Sequence, residues 1–226
     1  MKEMNWRAAL AEFIGTFGFL VVGVGSVVAT GGNLIMVAIA HGLAIAVFAT
    51  AMGPISGGHL NPAVSLAFWL GGKISLGQAG ANIVAQIAGA TAGVFALVGM
   101  FGEGVMGIGK YGLPEPSQAT QFGQLVAFET VFTFFLMLAV WGTAVHKKAP
   151  QMGALFVGLT VLMSIYACGP STGCSLNPAR YLGPAFAAQD FSQAVAYIAS
   201  PILGAALAVI VYKMILEKPE ESAPVS

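Results

Sequence analysis

Ser56-Gly57-Gly58-His59-Leu60-Asn61-Pro62-Ala63-Val64 and Thr172-Gly173-Cys174-Ser175-Leu176-Asn177-Pro178-Ala179-Arg180 decide the fold. Their Asn-Pro-Ala triplets begin at 61 and 177 in a chain of 226 residues, so each sits at the same place in its own half. In both, Asn suits a helix N-cap and Pro the first helical position, where its missing N–H costs nothing. The apolar segments they open, 61–70 and 177–187, are too short to cross a bilayer: Pro62 to Leu70 rises only ~13 Å at about 1.5 Å per residue, under half of a ~30 Å hydrocarbon core. Two such half-helices entering from opposite faces would meet N-terminus to N-terminus near the midplane. There the positive dipole ends and two Asn amides make a donor-rich spot that repels cations.

The rest of the chain supplies the hydrocarbon setting. Charged residues are 8% and hydrophobic residues 57% of the sequence, against about a quarter charged in ordinary soluble domains. Glycine, at 30 of 226 residues, is abundant in the way packed transmembrane helices require. The composition is that of a polytopic membrane protein. Lys2 and Arg7 precede an apolar run that superficially resembles a signal peptide. That run continues to about Ala29 and contains Glu12, so it is read as a first span. Cys168 and Cys174 fit neither a disulfide framework nor a four-ligand metal site, and His41, His59 and His146 are scattered. No nucleophile–base pair or metal cluster stands out. An enzyme is not supported, and neither a cofactor nor a nucleic-acid partner is expected.

Spans of membrane-crossing length cover roughly 6–29, 34–53, 78–100, 122–145, 152–169 and 192–216. The expected fold is an all-α membrane protein with six transmembrane helices and two re-entrant half-helices, forming a single channel domain over 1–226. The connection 101–121 divides it into repeats of about 1–100 and 122–226. Glu12 and Thr16 match Glu129 and Thr133, and Gln86-Ile87-Ala88-Gly89-Ala90 matches Pro201-Ile202-Leu203-Gly204-Ala205. Three spans per half make the second copy enter from the opposite side: an inverted repeat, its site near the midplane. Lys2, Arg7, Lys73, Lys147, Lys148, Lys213 and Lys218 fall on one side and Lys110 on the other, which places both termini in the cytoplasm. The absence of an Asn-x-Ser/Thr sequon and of long tails reads as a compact microbial protein of the plasma (cell inner) membrane.

The loops before the caps, 56–60 and 171–176, cannot be regular helix if they feed them. Irregular backbone at membrane depth survives only when buried in protein or lining a watery cavity. Gly57, Gly58 and His59, with Thr172, Gly173 and Ser175, are therefore candidates to line a pore with carbonyl acceptors. Glu12 and Glu129 lie inside spans, where a charge needs partners. They read as supports accepting hydrogen bonds from loop N–H groups rather than as proton relays, which would need further titratable groups along the path.

On these motifs and spans the chain resembles the aquaporin (major intrinsic protein) family over nearly its whole length. The resemblance implies a homotetramer with one pore per subunit. It also implies a second constriction at His41, Ile165, Cys174 and Arg180. Arg180 follows the second triplet as in most of the family. His41 departs from the common water-channel pattern, which has Phe there and His at the place of Ile165. His with Ile resembles plant vacuolar-membrane members, among which ammonia permeation is known. A pore-facing His41 is favoured over one turned to a neighbouring helix. Tyr181 and Ala185 stand where glycerol-conducting relatives carry Asp and a basic residue. Cys174 occupies a place where some relatives carry the cysteine that mercurials block, and Cys168 reads as packing.

The leading reading is a passive channel that conducts water and excludes protons and ions, with the lipid bilayer as its surroundings. A facilitator of ammonia, glycerol or another small neutral solute is the alternative within the fold. A secondary transporter would want an ion-binding acidic residue beside the helix breaks, and none is near either triplet in the sequence. A structural membrane-junction protein would carry no flux. Gly89-x-x-x-Gly93 offers a helix-packing face.

Overall fold

Hydrophobic length sets the frame. In the computed structural model, which describes residues 4–146, 148, 149 and 151–216, six helical segments are long and apolar enough to cross a membrane. They are α1 (Trp6–Ala29), α2 (Leu34–Ser56), α4 (Leu76–Phe101), α6 (Phe122–Val140), α7 (Gly153–Thr172) and α9 (Ala194–Val211). Two short helices, α3 (Pro62–Leu70) and α8 (Pro178–Ala188), lie between α2 and α4 and between α7 and α9. A further short helix, α5 (Glu103–Ile108), and a 3-10 turn, Lys110–Gly112, occupy the connection between the halves. Both α6 and α9 end in a π-helical turn, Trp141–Val145 and Tyr212–Leu216, which the sequence gives no sign of. Trp141 and Tyr212 from these turns pack together, with ring centroids 6.5 Å apart.

One end of the bundle gathers the start of α1, the α3–α4 turn and the end of α9. The Asn5 N–H donates to Gln78 Oε1 (2.7 Å), and Lys213 Nζ donates to the Gly71 carbonyl (2.7 Å). Of the residues used to orient the chain, Lys2, Lys147 and Lys218 lie outside the described residues.

Two helices run further than the sequence reading placed them. α2 continues through Pro54 to Ser56, and α7 through Pro170 to Thr172, so only residues 57–60 and 173–176 are irregular. Each proline stands in the last turn, where one lost hydrogen bond is tolerable, and a left-handed glycine closes the helix behind it. Gly57 (φ 93°) donates to the Gly53 carbonyl at 2.9 Å, and Gly173 (φ 71°) to that of Gly169 at 2.8 Å.

The internal symmetry reaches individual atoms. A Cβ on Gly89 would strike the Phe13 carbonyl oxygen, and one on Gly204 would strike that of Thr130, so α4 closes on α1 as α9 closes on α6. Gly42 and Gly158 face each other's backbone where α2 crosses α7. The Gly89–Gly93 face is thus spent within the chain, against Phe13 and Phe17 of α1. Close approach lets dispersion and weak backbone contacts hold helices that gain nothing from leaving water. The expected outcome of Gly204→Ala is a loss of about 1–3 kcal/mol through overpacking. The check is its unfolding midpoint in mild detergent beside that of Gly99→Ala, whose new methyl meets nothing within 4 Å and leaves the midpoint unchanged.

Candidate functional site

Four residues of backbone on each side, 57–60 and 173–176, must hold themselves at membrane depth without a helical ladder. A buried carboxylate serves each. Glu12 Oε1 accepts from the His59 N–H (2.9 Å) and the Ser56 hydroxyl (2.6 Å), and Oε2 accepts from the Leu60 N–H (2.6 Å) and Gln86 Nε2 (2.7 Å). Glu129 repeats the pattern. Its Oε1 accepts from the Ser175 N–H (3.0 Å) and the Thr172 hydroxyl (2.9 Å), and its Oε2 from the Leu176 N–H (2.7 Å). Hydrogen bonds to a charged acceptor contribute about 1.5–3 kcal/mol each. They hold Leu60 (φ 52°), Cys174 (φ 47°) and Leu176 (φ 53°) in the left-handed region, which non-glycine residues otherwise avoid.

So held, the loops deliver Asn61 and Asn177 to each other. Asn61 Oδ1 accepts from the Ala63 N–H (2.9 Å), and Asn177 Oδ1 from the Ala179 N–H (2.9 Å) and the Arg180 N–H (3.3 Å). With each oxygen committed to its cap, each NH₂ must donate. Asn61 Nδ2 donates to the Leu176 carbonyl (2.9 Å), and Asn177 Nδ2 to the Leu60 carbonyl (2.8 Å). The bonds are reciprocal, so α3 and α8, with Pro62 and Pro178 in their first turns, are pinned head to head. One N–H of each amide is left over. Among the described residues no donor meets the carbonyls of Gly57, Gly58 and His59 or of Gly173, Cys174 and Ser175.

A cavity of about 760 Å³ opens from this junction toward the end of the bundle that holds Thr143, His146 and the start of α7. His59, Asn61, Ser175 and Asn177 border it, as do Gly57 and Gly58. The His59 ring leans on Phe68 at 4.1 Å between centroids. His41, Ile165, Cys174 and Arg180 do not border it.

Beyond the Asn pair, Arg180 is anchored from two directions. Its Nε donates to His41 Nε2 (3.2 Å), and its Nη1 to the Gly112 carbonyl (2.8 Å). His41 Nδ1 stands 2.9 Å from the Val37 carbonyl and therefore carries the proton, leaving Nε2 as the acceptor that the guanidinium requires. Both ring nitrogens are thus committed. The ring also leans edge-on against Phe19 (5.8 Å) and fills the space above Gly23, so His41 meets a neighbouring helix and Arg180 at once. Ile165 and Cys174 are buried together with Ala38, Cys168 and Leu176. Behind them the Tyr197 hydroxyl donates to the Thr172 carbonyl, and Tyr197 stacks on Tyr181 at 4.8 Å.

Three contributors escaped the sequence reading. Gly112 acts through a carbonyl, which no side-chain pattern reports. Ser65 is three residues past Pro62 on α3, masked by its apolar neighbours. Gln86 entered only as part of a repeat, although a buried amide across from Glu12 was a signal. The connection holding Gly112 is more than a linker: its exposed Lys110 and Glu115 pair at 2.6 Å, which raises the Lys110 pKa through that hydrogen bond and charge.

Comparison with known proteins agrees with this fold. The solved aquaglyceroporin from Plasmodium falciparum superposes with a TM-score of 0.84 at 22% identity, covering 94% of this chain and 97% of that one, a likeness of fold. In sequence, aquaporin-5 of Ovis aries is 37% identical over 216 residues, 93% of this chain and 81% of its own. Aquaporin TIP4-4 of Zea mays is 38% identical over 220 residues, 91% and 85% of the two chains. Aquaporin TIP2-1 of Arabidopsis thaliana is 36% identical over 235 residues, 97% and 91%. Residues 1–212 match the family described as major intrinsic protein, and on that match, with its aquaporin relatives, the chain belongs to the major intrinsic protein family.

Proposed function

We propose that the chain is a passive channel conducting water down osmotic gradients while excluding protons and ions. The observation that carries this reading is the reciprocal pair of Asn61 and Asn177, whose remaining amide hydrogens share one spot with two helix N-termini. A water at that spot accepts from both amides, so it cannot continue a donor–acceptor chain through the centre. The positive dipole ends oppose a cation there. Carbonyls of 57–59 and 173–175 receive the hydrogens of waters on either side.

Asn61, Pro62, Ala63, Asn177, Pro178 and Ala179 form the central constriction, and His41, Ile165, Cys174 and Arg180 the second one. Arg180 is its permanent cation. Its Nη2, which has no protein partner among the described residues, is the donor available to a permeating molecule. His41 contributes bulk and sets the arginine. Glu12 and Glu129 support the loops. Arg7, Lys73 and Lys213 near one end of the bundle support cytoplasmic termini. A homotetramer follows from family likeness and is read from the particle mass in mild detergent.

A second reading, ammonia conduction, is favoured by His41 with Ile165, a pairing that resembles plant vacuolar-membrane members, and TIP-type aquaporins are among the similar sequences. Stopped-flow light scattering on proteoliposomes separates the two. Osmotic water flux is compared with glycerol and ammonia uptake: fast water flux with negligible glycerol uptake is expected, and slow water flux with rapid glycerol or ammonia entry overturns the assignment. His41→Ala removes the ring and one anchor of Arg180. Glycerol uptake should then rise about tenfold, a barrier drop of about 1.4 kcal/mol; unchanged glycerol and ammonia fluxes reject this placement. Mercurial inhibition should vanish in Cys174→Ser and persist in Cys168→Ser, and inhibition surviving the first change rules Cys174 out.

A further inference from the structure

Hydrogen-bond polarity is fixed through four buried side chains that link Glu12 to His59, with Gln86 donating to both of its neighbours. Each Glu12 oxygen already accepts a backbone N–H, so the carboxylate meets Gln86 as an acceptor and requires the amide's NH₂ end. That same Nε2 lies 2.8 Å from Ser65 Oγ, so its second hydrogen goes to the serine oxygen. Ser65 must then place its own hydrogen elsewhere. Among the described residues its only other partner is His59 Nδ1, at 3.0 Å. The hydroxyl donates, Nδ1 accepts, and the ring proton is left on Nε2. Nε2 has no protein partner among the described residues and belongs to a ring that borders the 760 Å³ cavity. Turning the Gln86 amide over would set its oxygen against the carboxylate. The cost of the observed orientation is that Gln86 Oε1 has no partner among the described residues.

We propose that Ser65 is a positioning residue which, with Gln86, fixes His59 in its Nε2–H form and makes it a donor-only rung at the cavity mouth of the pore. The inference rests on the channel reading above. His59 is then the first in a series of N–H groups, followed by the leftover amide hydrogens of Asn61 and Asn177. Water and ammonia each carry a lone pair for that rung. Ammonium and hydronium offer only hydrogens and meet N–H against N–H. The one basic nitrogen that could hold them, Nδ1, faces Ser65. His41 is masked by a different arrangement, its Nε2 occupied by Arg180. Neither pore histidine therefore shows a bare lone pair to the permeating file.

Ser65→Ala removes the hydroxyl that holds Nδ1, and Ser65→Thr keeps it. Gln86→Leu breaks the chain one link earlier and serves if Ser65→Ala does not fold. Two measurements on each protein in lipid test the proposal: the ¹⁵N signals of the His59 ring, and osmotic water flux with ammonium chloride replacing sodium chloride. The wild type and Ser65→Thr should show an Nε2–H signal alone, with no effect of ammonium. Ser65→Ala and Gln86→Leu should add an Nδ1–H signal, and ammonium held at the exposed nitrogen should then cut water flux by about half, the effect of roughly one new hydrogen bond. An Nδ1–H signal in the wild type overturns the proposal, as does either variant retaining the wild-type ring signals or its indifference to ammonium. Absence of water flux in the wild type is a failure of the channel reading instead, and the ring signals are read independently of it.

Discussion

Backbone N–H groups at membrane depth have no water to bond, and the structure depends on how this debt is met at residues 57–60 and 173–176. A helix would satisfy them but would fill the pore. The loops instead turn the N–H groups of His59, Leu60, Ser175 and Leu176 to Glu12 and Glu129, and among the described residues the carbonyls of 57–59 and 173–175 have no donor. Burying a carboxylate is expensive, and removing either side of such an arrangement would strand a charge or several donors. Left-handed Leu60 and Leu176, each costing of order 1–3 kcal/mol, persist because the carboxylate bonds over-determine them. From those two residues follows the rest: their carbonyls are the ones that receive Asn177 and Asn61.

The frame is symmetric and its lining is not. Glu12 and Glu129, Ser56 and Thr172, Gly57 and Gly173, Pro54 and Pro170 occupy equivalent places and do equivalent work. The residues packed around these loops differ. Val64 stands where the second half has Arg180, His59 where it has Ser175, Ser65 where it has Tyr181, and Gln86 where it has Pro201. One side of the Asn pair accordingly widens into a cavity with a histidine at its mouth. The other closes around a guanidinium, with Tyr181 stacked on Tyr197 behind it. On the proposed reading, similar support with unequal lining gives a pore whose two ends screen by different means.

What the sequence made legible is what it writes in repeated or chemically costly residues. Asn-Pro-Ala recurs because cap, first-turn proline and amide donor are all needed together. Glu12 and Glu129 show because a charge inside a span demands a partner. Helix ends were missed by three residues at Ser56 and Thr172: the spans were ended at 53 and 169, while each helix runs on through a proline to a glycine cap. The Gly112 carbonyl was invisible for a different reason: any residue has one, and only the path of the chain through 110–112 brings it to Arg180. His41 shows the limit of a residue type. Its presence pointed to the pore, while its two committed nitrogens and its seat over Gly23 are properties of packing.

That commitment of His41 changes how the proposed second constriction has to be understood. A histidine with a free nitrogen would be one more polar group on the wall. Here Nδ1 is held by the Val37 carbonyl of its own helix, and Nε2 receives Arg180 Nε, while Gly112 holds Nη1 from the connection between the halves. The guanidinium is planar, so two fixed edges leave its remaining N–H groups with a set direction. If the proposed constriction lies here, width and charge are one property: the ring that would set the diameter also holds the cation. On that reading a substitution at His41 cannot alter the width without also releasing one anchor of the positive charge.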